Sequence, residues 1–376
     1  MALFLSPYLE DILFHICNLS SGKDEMLQKS QLQQRLKSVR HTLAVSLPPR
    51  VLIPVTAACY HRLEKKEKFG SICSLMSVLE EHIQSMTKED LTAHIQDLQK
   101  FFIDGLNFRF LYCEHPEKQI SAVEGSIIET FITMVMKLSE TTFKPLLFKL
   151  YDWASRDEDT KFRVMVFYRL AERLAEKLRS LFTLFASHII QHASSIIEKN
   201  NSSKTKEPYF GKGNRGKRLS NQLLCYIFDC LYKCFLYDTE GFVTKERFDS
   251  LMQPMVDQLE NFHKKDKHFE RRVTDHLVPC IVQFSVASQD DSLWKSMTYQ
   301  ILLKTRHDSP KVRYGALQCI DVFHQKLGED FMPLLPEAIP FLAELMEDDS
   351  EEVEKKCQSV IADMEKTLGE PLKKYY

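Results

Sequence analysis

Apolar residues recur at helical spacing along nearly the whole chain. In the clearest stripe an apolar residue returns every four positions, and its members are Phe162, Val166, Leu170, Leu174 and Leu178. Charged residues fill half of the positions between them. Because an α-helix turns once every ~3.6 residues, this spacing places the apolar side chains on one buried side of a surface helix. No run shows the convincing period-two alternation of a half-buried strand, so the pattern predicts an all-α fold.

Local start and stop signals divide this pattern into helices of ordinary length. Ser309 precedes Pro310, which places a capping serine before a first-turn proline. Gly328 and Gly369 follow apolar helix ends and are typical C-caps. Beside the stripe described above, the pattern predicts helices over residues 3–18, 26–46, 50–66, 70–86, 88–106, 121–139, 143–154, 182–199, 219–237, 244–261, 268–288, 292–304, 310–327, 330–346 and 350–368.

An internal repeat is visible near the C-terminus. The segment Asp308–Arg313 aligns with Asp349–Glu354, 41 residues further on, and Thr160–Arg163 is a third copy of its later part. This period falls within the ~40–47 residues of HEAT and armadillo repeats. We therefore predict an α-solenoid of HEAT-like helix pairs, in which an aspartate and an arginine at the helix-pair turn bond between neighbouring repeats and a valine packs inward. The alternative is a non-repetitive helical bundle whose cap chemistry is similar by chance.

One segment interrupts the helical pattern. Residues 199–218 are polar, rich in glycine and strongly basic, with Glu207 as the only acid. This composition predicts a flexible basic linker between a helical HEAT-like N-terminal half, residues 1–198, and a helical HEAT-like C-terminal half, residues 219–376.

The charge balance confines nucleic-acid contact to local patches. The chain has 50 Lys and Arg against 52 Asp and Glu, so it is not a polycation that coats nucleic acid. The basic linker is the candidate patch, either as an RNA phosphate contact or as a nuclear import signal, although a merely solvated linker explains it as well. Its candidate contact residues are Lys204, Lys206, Lys212, Arg215, Lys217 and Arg218.

Motifs that would indicate catalysis or a bound cofactor are incomplete. Residues 211–217 fit G-x-x-x-x-G-K, but position 218 is Arg instead of Ser or Thr and no apolar strand precedes the loop. His188 and His192 are four residues apart without a nearby third ligand, and none of the ten cysteines forms a C-x-x-C pair. We therefore expect no catalytic, cofactor-binding or metal site. The longest uncharged stretch, residues 180–197, is too polar and too short to span a bilayer, so we expect no membrane contact.

Several longer motifs carry a family resemblance. Residues 135–153 read VMKLSETTFKPLLFKLYDW. This run closely resembles the C-terminal domain of the large HEAT-repeat nucleolar proteins of the small-subunit processome. Further matching segments are Ser46–Leu52, Val256–Asn261, Asp291–Lys295, Pro336–Asp348 and Leu368–Leu372. The resemblance covers essentially the whole chain, whereas full members of the family are several times longer.

The resemblance implies a function without catalysis. It implies a scaffold in ribosome biogenesis, in early pre-rRNA assembly and processing toward 18S rRNA, with links to RNA polymerase I transcription. The implied partners are processome proteins and a small nucleolar ribonucleoprotein, with pre-rRNA contact through local basic patches, in the nucleus and nucleolus. The helical repeat alone also fits another HEAT-repeat adaptor, such as a nuclear transport receptor or a kinase or phosphatase scaffold.

Overall fold

A computed structural model describes residues 6–21, 30–156, 160–262 and 268–375. Every regular element in these ranges is helical, which confirms the all-α prediction. The first residues of the helices predicted at 3–18 and 26–46 lie outside the described residues. The helices are α1 Leu9–Ser21, α2 Ser30–Ser46, α3 Pro49–Lys65, α4 Phe69–Ser85, α5 Lys88–Leu106, α6 Phe108–Leu111, α7 Glu117–Val135, α8 Glu140–Ser155, α9 Lys161–Leu178, α10 Ser180–Thr183, α11 Ser187–Lys199, α12 Asn214–Leu236, α13 Lys245–Val256, α14 Phe269–Arg272, α15 Val278–Ser288, α16 Asp291–Lys304, α17 Pro310–Leu327, α18 Leu335–Leu345 and α19 Glu351–Leu368.

The chain forms two compact units, Met1–Leu170 and Ala171–Tyr376. In the first unit α4 is central and packs against α1, α2, α3 and α7. Its buried residues include Ile72, Leu75, Met76, Leu79 and Ile83, and this spacing of three and four residues directs one apolar side of the helix into the core. Burying such aliphatic side chains contributes about 1.5–3 kcal/mol each, so these contacts hold the unit together.

The second unit has the two-layer arrangement of a solenoid. One layer runs α11, α13, α16, α18, and each helix packs against the next. The other layer runs α12, α15, α17, α19 in the same way, and α13–α15, α16–α17 and α18–α19 contacts join the layers. Each helix pair therefore buries its apolar side against its neighbours. This arrangement confirms the prediction of an α-solenoid over the alternative of a non-repetitive bundle.

The turn of the internal repeat makes the contact that the sequence predicts. The guanidinium of Arg313, at the start of α17, donates to Asp349, the aspartate of the next repeat copy. It also donates to both carboxylate oxygens of the neighbouring Asp348 at 2.7 and 2.8 Å. It also donates to the carbonyl oxygens of His307 and Asp308 at 3.0 Å. Val312 is fully buried. Arginine therefore connects the turn before α17 with the turn before α19, and the valine beside it packs into the core.

The segment predicted as a linker is shorter in the structure and lies within one compact unit. α11 ends at Lys199 and α12 begins at Asn214, so only residues 200–213 lie between the two helices. Residues 214–218 are helical because the apolar stripe of α12 extends back through Leu219 to the buried Gly216. The compact units divide at Leu170 and Ala171, upstream of the predicted linker.

Among the helices in the described ranges, none combines the length and the apolar character needed to span a bilayer.

Candidate nucleic-acid interface

The six cationic residues predicted to contact nucleic acid all have exposed side chains. They are distributed along one continuous stretch from the turn after α11 to the second turn of α12, at Lys204, Lys206, Lys212, Arg215, Lys217 and Arg218. We call residues 204–218 the basic segment. The Nζ of Lys204 lies 3.3 Å from the Oδ2 of Asp257, which offsets part of its charge. The structure therefore presents the basic segment to solvent and ties Lys204 to a carboxylate.

Buried asparagines fix the path of the chain that leads into the basic segment. The Nδ2 of Asn201 donates to the carbonyl oxygen of Asp257 at 3.0 Å. The Oδ1 of Asn261 accepts from the backbone N–H of Ser202 at 3.0 Å and from its hydroxyl at 2.8 Å. The Nδ2 of Asn261 donates to the carbonyl oxygen of Asn200 at 2.9 Å. Because an amide side chain both donates and accepts, each asparagine satisfies polar groups that the loop would otherwise bury unpaired.

Local sequence patterns give no sign that these asparagines belong to the site. Asn261 lies about 60 positions after the groups that it bonds, and no local pattern reveals a contact over that separation. Its only signal was its place in the matching segment Val256–Asn261, which indicated family resemblance and gave no role.

Gly216 allows the loop to pass close to α12. A Cβ built at this position would lie 2.9 Å from the carbonyl oxygen of Phe210 and closer still to that of Gly211. Both contacts are to backbone atoms, which cannot rotate away as a side chain can. The loop reaches this position through Gly211 and Gly213, which have φ angles of 82° and 105°, in the region that favours glycine.

We expect Gly216→Ala to destabilise the second unit by about 1–3 kcal/mol, because the added methyl overpacks against the loop backbone. Helix propensity alone would favour alanine by about 0.5–1 kcal/mol. A decrease in the free energy of unfolding would therefore indicate the close approach of the loop, and an increase would indicate helix propensity. Gly105→Ala is the matched control, since its Cβ would meet Ile127 at an ordinary 3.5 Å. Thermal unfolding followed by circular dichroism would measure both. A Gly216→Ala protein as stable as the Gly105→Ala protein would contradict the close approach.

A cavity of about 150 Å³ lies between this loop and α12, and we call it the loop cavity. Among the described residues, its lining contains the cationic residues Lys199, Lys206, Lys217 and Arg272 and no carboxylate. The structure thus brings two of the six predicted contact residues, Lys206 and Lys217, to one cavity. Lys204, Lys212, Arg215 and Arg218 do not line it.

Arg272 and Tyr209 form parts of the cavity wall. Arg272 is buried and its guanidinium donates to the Oδ1 of Asn221 at 2.5 Å and to the carbonyl oxygen of Asn261. Burial raises the pKa of the Tyr209 phenol to about 12, so its ring remains neutral at physiological pH. No local sequence pattern connects Arg272 with the basic segment, because Arg272 lies on α14, far along the chain.

A cysteine–histidine–aspartate arrangement is formed by Cys225, His276 and Asp229. The Nδ1 of His276 lies 2.7 Å from the Oδ1 of Asp229. Hydrogen bonds to Asp229 and Cys225 raise the pKa of His276 to about 10. The imidazole is therefore protonated at neutral pH and cannot accept a proton as a general base. This group is a charged pair between α12 and the π-helical turn Val273–Leu277.

Within the described ranges, no three His, Cys, Asp or Glu side chains are grouped closely enough to hold a metal ion. The phosphate-binding-loop pattern at residues 211–217 also lacks its structural context, since α11 and a loop precede it where such a loop needs a strand. The chemistry that the geometry supports is binding of a negatively charged partner.

Comparison with known proteins reveals relatives along the whole chain. Residues 90–243 match the BP28CT (NUC211) domain. The chain is 48% identical to HEAT repeat-containing protein 1 of Homo sapiens over 373 residues, which are 99% of this chain and 17% of the human protein. The Drosophila melanogaster homolog is 34% identical over 386 residues, which are 100% of this chain and 18% of that relative. U3 small nucleolar RNA-associated protein 10 of Debaryomyces hansenii is 26% identical over 328 residues, which are 83% of this chain and 17% of that relative.

These matches confirm the resemblance that the sequence motifs indicate. The chain spans only 17% to 18% of the length of these three relatives, so it corresponds to one part of them. The chain belongs to the family of HEAT repeat-containing protein 1.

Proposed function

We propose that this protein is a non-enzymatic scaffold in ribosome biogenesis. In this role it helps to assemble the small-subunit processome in the nucleolus for pre-rRNA processing toward 18S rRNA, and it supports transcription by RNA polymerase I. The observation that carries the proposal is the match over 99% of the chain to HEAT repeat-containing protein 1, together with relatives named U3 small nucleolar RNA-associated protein 10. Its partners are processome proteins and a small nucleolar ribonucleoprotein.

The physical features of the chain support a binding role. Stacked helix pairs bury their apolar sides and leave long polar surfaces on which other macromolecules can dock. The basic segment adds a patch of exposed positive charge to a chain whose formal net charge is −2. Such a patch binds RNA phosphates through counterion release, without choosing a sequence.

Affinity capture of the tagged protein from cells tests the scaffold role. We expect the eluate to contain processome proteins and U3 small nucleolar RNA, and fluorescence microscopy to place the protein in the nucleolus. A tag expressed alone is the control. An eluate without these components would refute the proposal, and enrichment of transport factors or of a kinase or phosphatase would favour another HEAT-repeat adaptor.

The RNA contact of the basic segment has its own test. Replacing its six cationic residues with Gln should weaken binding of single-stranded RNA at least about tenfold at low salt. Each RNA phosphate that the variant no longer neutralises should also reduce the slope of log affinity against log salt by about 0.7. Filter binding or fluorescence anisotropy over a salt series would measure the affinity and the slope.

A matched control removes the same charge elsewhere. Six scattered, exposed lysines are replaced with Gln in the control protein: Lys88, Lys100, Lys118, Lys177, Lys355 and Lys366. Both variants carry the same net charge, so a difference between them identifies the location of the contact. Equal RNA affinities in the two proteins would reject the basic segment as the contact.

A further inference from the structure

We propose that the loop cavity receives one unstacked nucleotide of single-stranded RNA, with its phosphate near Lys206 and Lys217 and its base against Tyr209. This inference rests on the RNA contact of the proposed function and adds a defined subsite to it. The basic segment binds phosphates without sequence preference, and the cavity adds one defined position at which the RNA strand is held.

The charge of the lining selects an anionic ligand. Lys199, Lys206, Lys217 and Arg272 contribute positive charge, and no Asp or Glu of the described ranges lines the cavity. Lys206 and Lys217 are also exposed, so both can reach a phosphate at the mouth of the cavity. A phosphodiester or phosphomonoester is the anion that such a set of cations binds well.

A buried amide also lies in the cavity wall. Asn200 lines the cavity and is only 6% exposed. Its Nδ2 donates to the carbonyl oxygen of Ile196 at 3.1 Å, which fixes the orientation of the amide. Its buried Oδ1 has no hydrogen-bond partner within the described residues. A buried acceptor without a donor is unfavourable, so this wall of the cavity carries an unmet polar group.

Tyr209 supplies an aromatic surface beside these polar groups. It is half-buried in the cavity wall and packs edge-to-face with Phe210, with ring centroids 5.2 Å apart. Proteins that bind single-stranded RNA stack splayed bases on such rings. The volume of about 150 Å³ is below the ~300–1,000 Å³ of pockets for drug-sized ligands, so it suits one unit of a polymer whose other units lie outside.

The surroundings favour RNA over a phosphorylated peptide. A phosphorylated peptide would present a single phosphate, and the cations at the cavity alone would be enough to bind it. The basic segment continues beyond the cavity with exposed cations on both sides, at Lys204 in the loop and at Lys212, Arg215 and Arg218. Repeated cations along one path match the repeated phosphates of a strand.

Two variants test the subsite without changing the charge of the protein. Tyr209→Leu removes the aromatic face and keeps a bulky apolar side chain, whereas Tyr209→Phe keeps the face. With an oligouridine probe at low salt, we expect Tyr209→Leu to weaken binding about tenfold, since one base loses the aromatic ring on which it stacks. Tyr209→Phe should bind within about twofold of the unchanged protein. Thermal unfolding of each variant verifies that the fold is retained.

A third variant fills the cavity. Ser220 lies in its wall on α12, and Ser220→Phe should reduce affinity to the same extent as Tyr209→Leu while the salt slope stays unchanged. Ultraviolet crosslinking of the oligouridine probe should give an adduct on Tyr209. Unchanged affinity in Tyr209→Leu, or a phosphoserine peptide that displaces the probe at equal concentration, would overturn the subsite.

The two proposals fail in different ways. If the six-glutamine variant no longer binds RNA while Tyr209→Leu and Ser220→Phe still do, the basic segment contacts RNA and the subsite is wrong. If the unchanged protein binds no RNA at low salt, the RNA contact itself fails.

Discussion

Replacing Arg109 with Met should lower the free energy of unfolding of the first unit by about 3–5 kcal/mol. Arg109 lies on the short helix α6 and is 1% exposed. Its Nη1 and Nη2 donate to Glu117 at 3.0 and 2.8 Å, and its Nε donates to Glu124. Glu124 is itself buried and also accepts from Arg169 at 2.6 Å. The network holds α6, α7 and α9 together, with Arg109 and Glu124 buried at its centre and Glu117 and Arg169 partly exposed at its edge.

Arg109→Met lowers the free energy of unfolding because it leaves the buried Glu124 carboxylate without one of its cations. Burial alone would lower the pKa of the Arg109 guanidinium, but the charges and hydrogen bonds of Glu124 and Glu117 raise it. Methionine fills similar space but leaves the Glu124 carboxylate with one cation instead of two. A buried charge that loses its partner is far more costly than the pair is stabilising. Urea unfolding followed by circular dichroism would measure the loss of stability.

Two further proteins make the test specific. Arg156→Met removes an exposed guanidinium that is 3.6 Å from Asp152, and such surface pairs contribute about 0–1 kcal/mol. Combining Arg109→Met with Glu124→Gln should recover part of the stability, because the neutral amide needs no counter-charge. If Arg109→Met and Arg156→Met are equally stable, the network does not stabilise the unit.

Replacing Lys304 with Met should destabilise the second unit by about 3 kcal/mol at neutral pH. Its Nζ lies 2.7 Å from Asp257 and 2.6 Å from Glu260, and Lys304 and Asp257 are both buried. These carboxylates belong to the turn whose backbone and Asn261 hold the loop before the basic segment. The substitution should therefore also weaken RNA binding, although Lys304 is not part of the basic segment.

The penalty of Lys304→Met should depend on pH. Burial would raise the pKa of Asp257, but the hydrogen bond and charge of Lys304 lower it below its ordinary 3.8. A lowered pKa contributes stability that is present above the unfolded-state value and is lost as the pH falls through the folded-state pKa. In Lys304→Met, protonation removes the uncompensated negative charge of Asp257 and Glu260. The loss of unfolding free energy relative to the unchanged protein should therefore shrink below about pH 4. Lys311→Met, which removes an exposed pair with Glu270, is the control and should show a small deficit at every pH.

Local signals were sufficient to predict many helices. The helix predicted at 310–327 is found as Pro310–Leu327, and the one predicted at 350–368 is found as Glu351–Leu368. The serines before them, Ser309 and Ser350, make no side-chain capping hydrogen bond. Pro310 at the first position of one helix and the C-terminal glycines Gly328 and Gly369 are the local signals that the structure retains.

Helices shaped by distant contacts were predicted less well. One helix is predicted at 244–261, but in the structure the α-helix ends at Val256 and a 3₁₀ turn, Asp257–Glu260, follows it. Groups of this turn form hydrogen bonds with residues about 60 positions earlier in the chain. The helix predicted at 268–288 contains the π-helical turn Val273–Leu277. Pro279 follows closely and has no N–H to donate to the preceding turn.

The candidate site shows the same difference between residues that local sequence reveals and residues that only folding brings together. Its six cations stand out in the sequence because they lie within one strongly basic segment, and their contact with nucleic acid stays a prediction. Its buried parts do not stand out in this way: Asn261 and Arg272 join the loop only through folding, and the loop cavity exists only where α12 meets the returning chain.

Ultraviolet protein–RNA crosslinking in native pre-ribosomal particles tests the central claim most directly. With the tagged protein captured intact and adducts mapped by mass spectrometry, we predict RNA adducts concentrated between residues 199 and 221, with Tyr209 among them. Particles that contain the protein but carry its RNA adducts only outside this stretch would contradict the account.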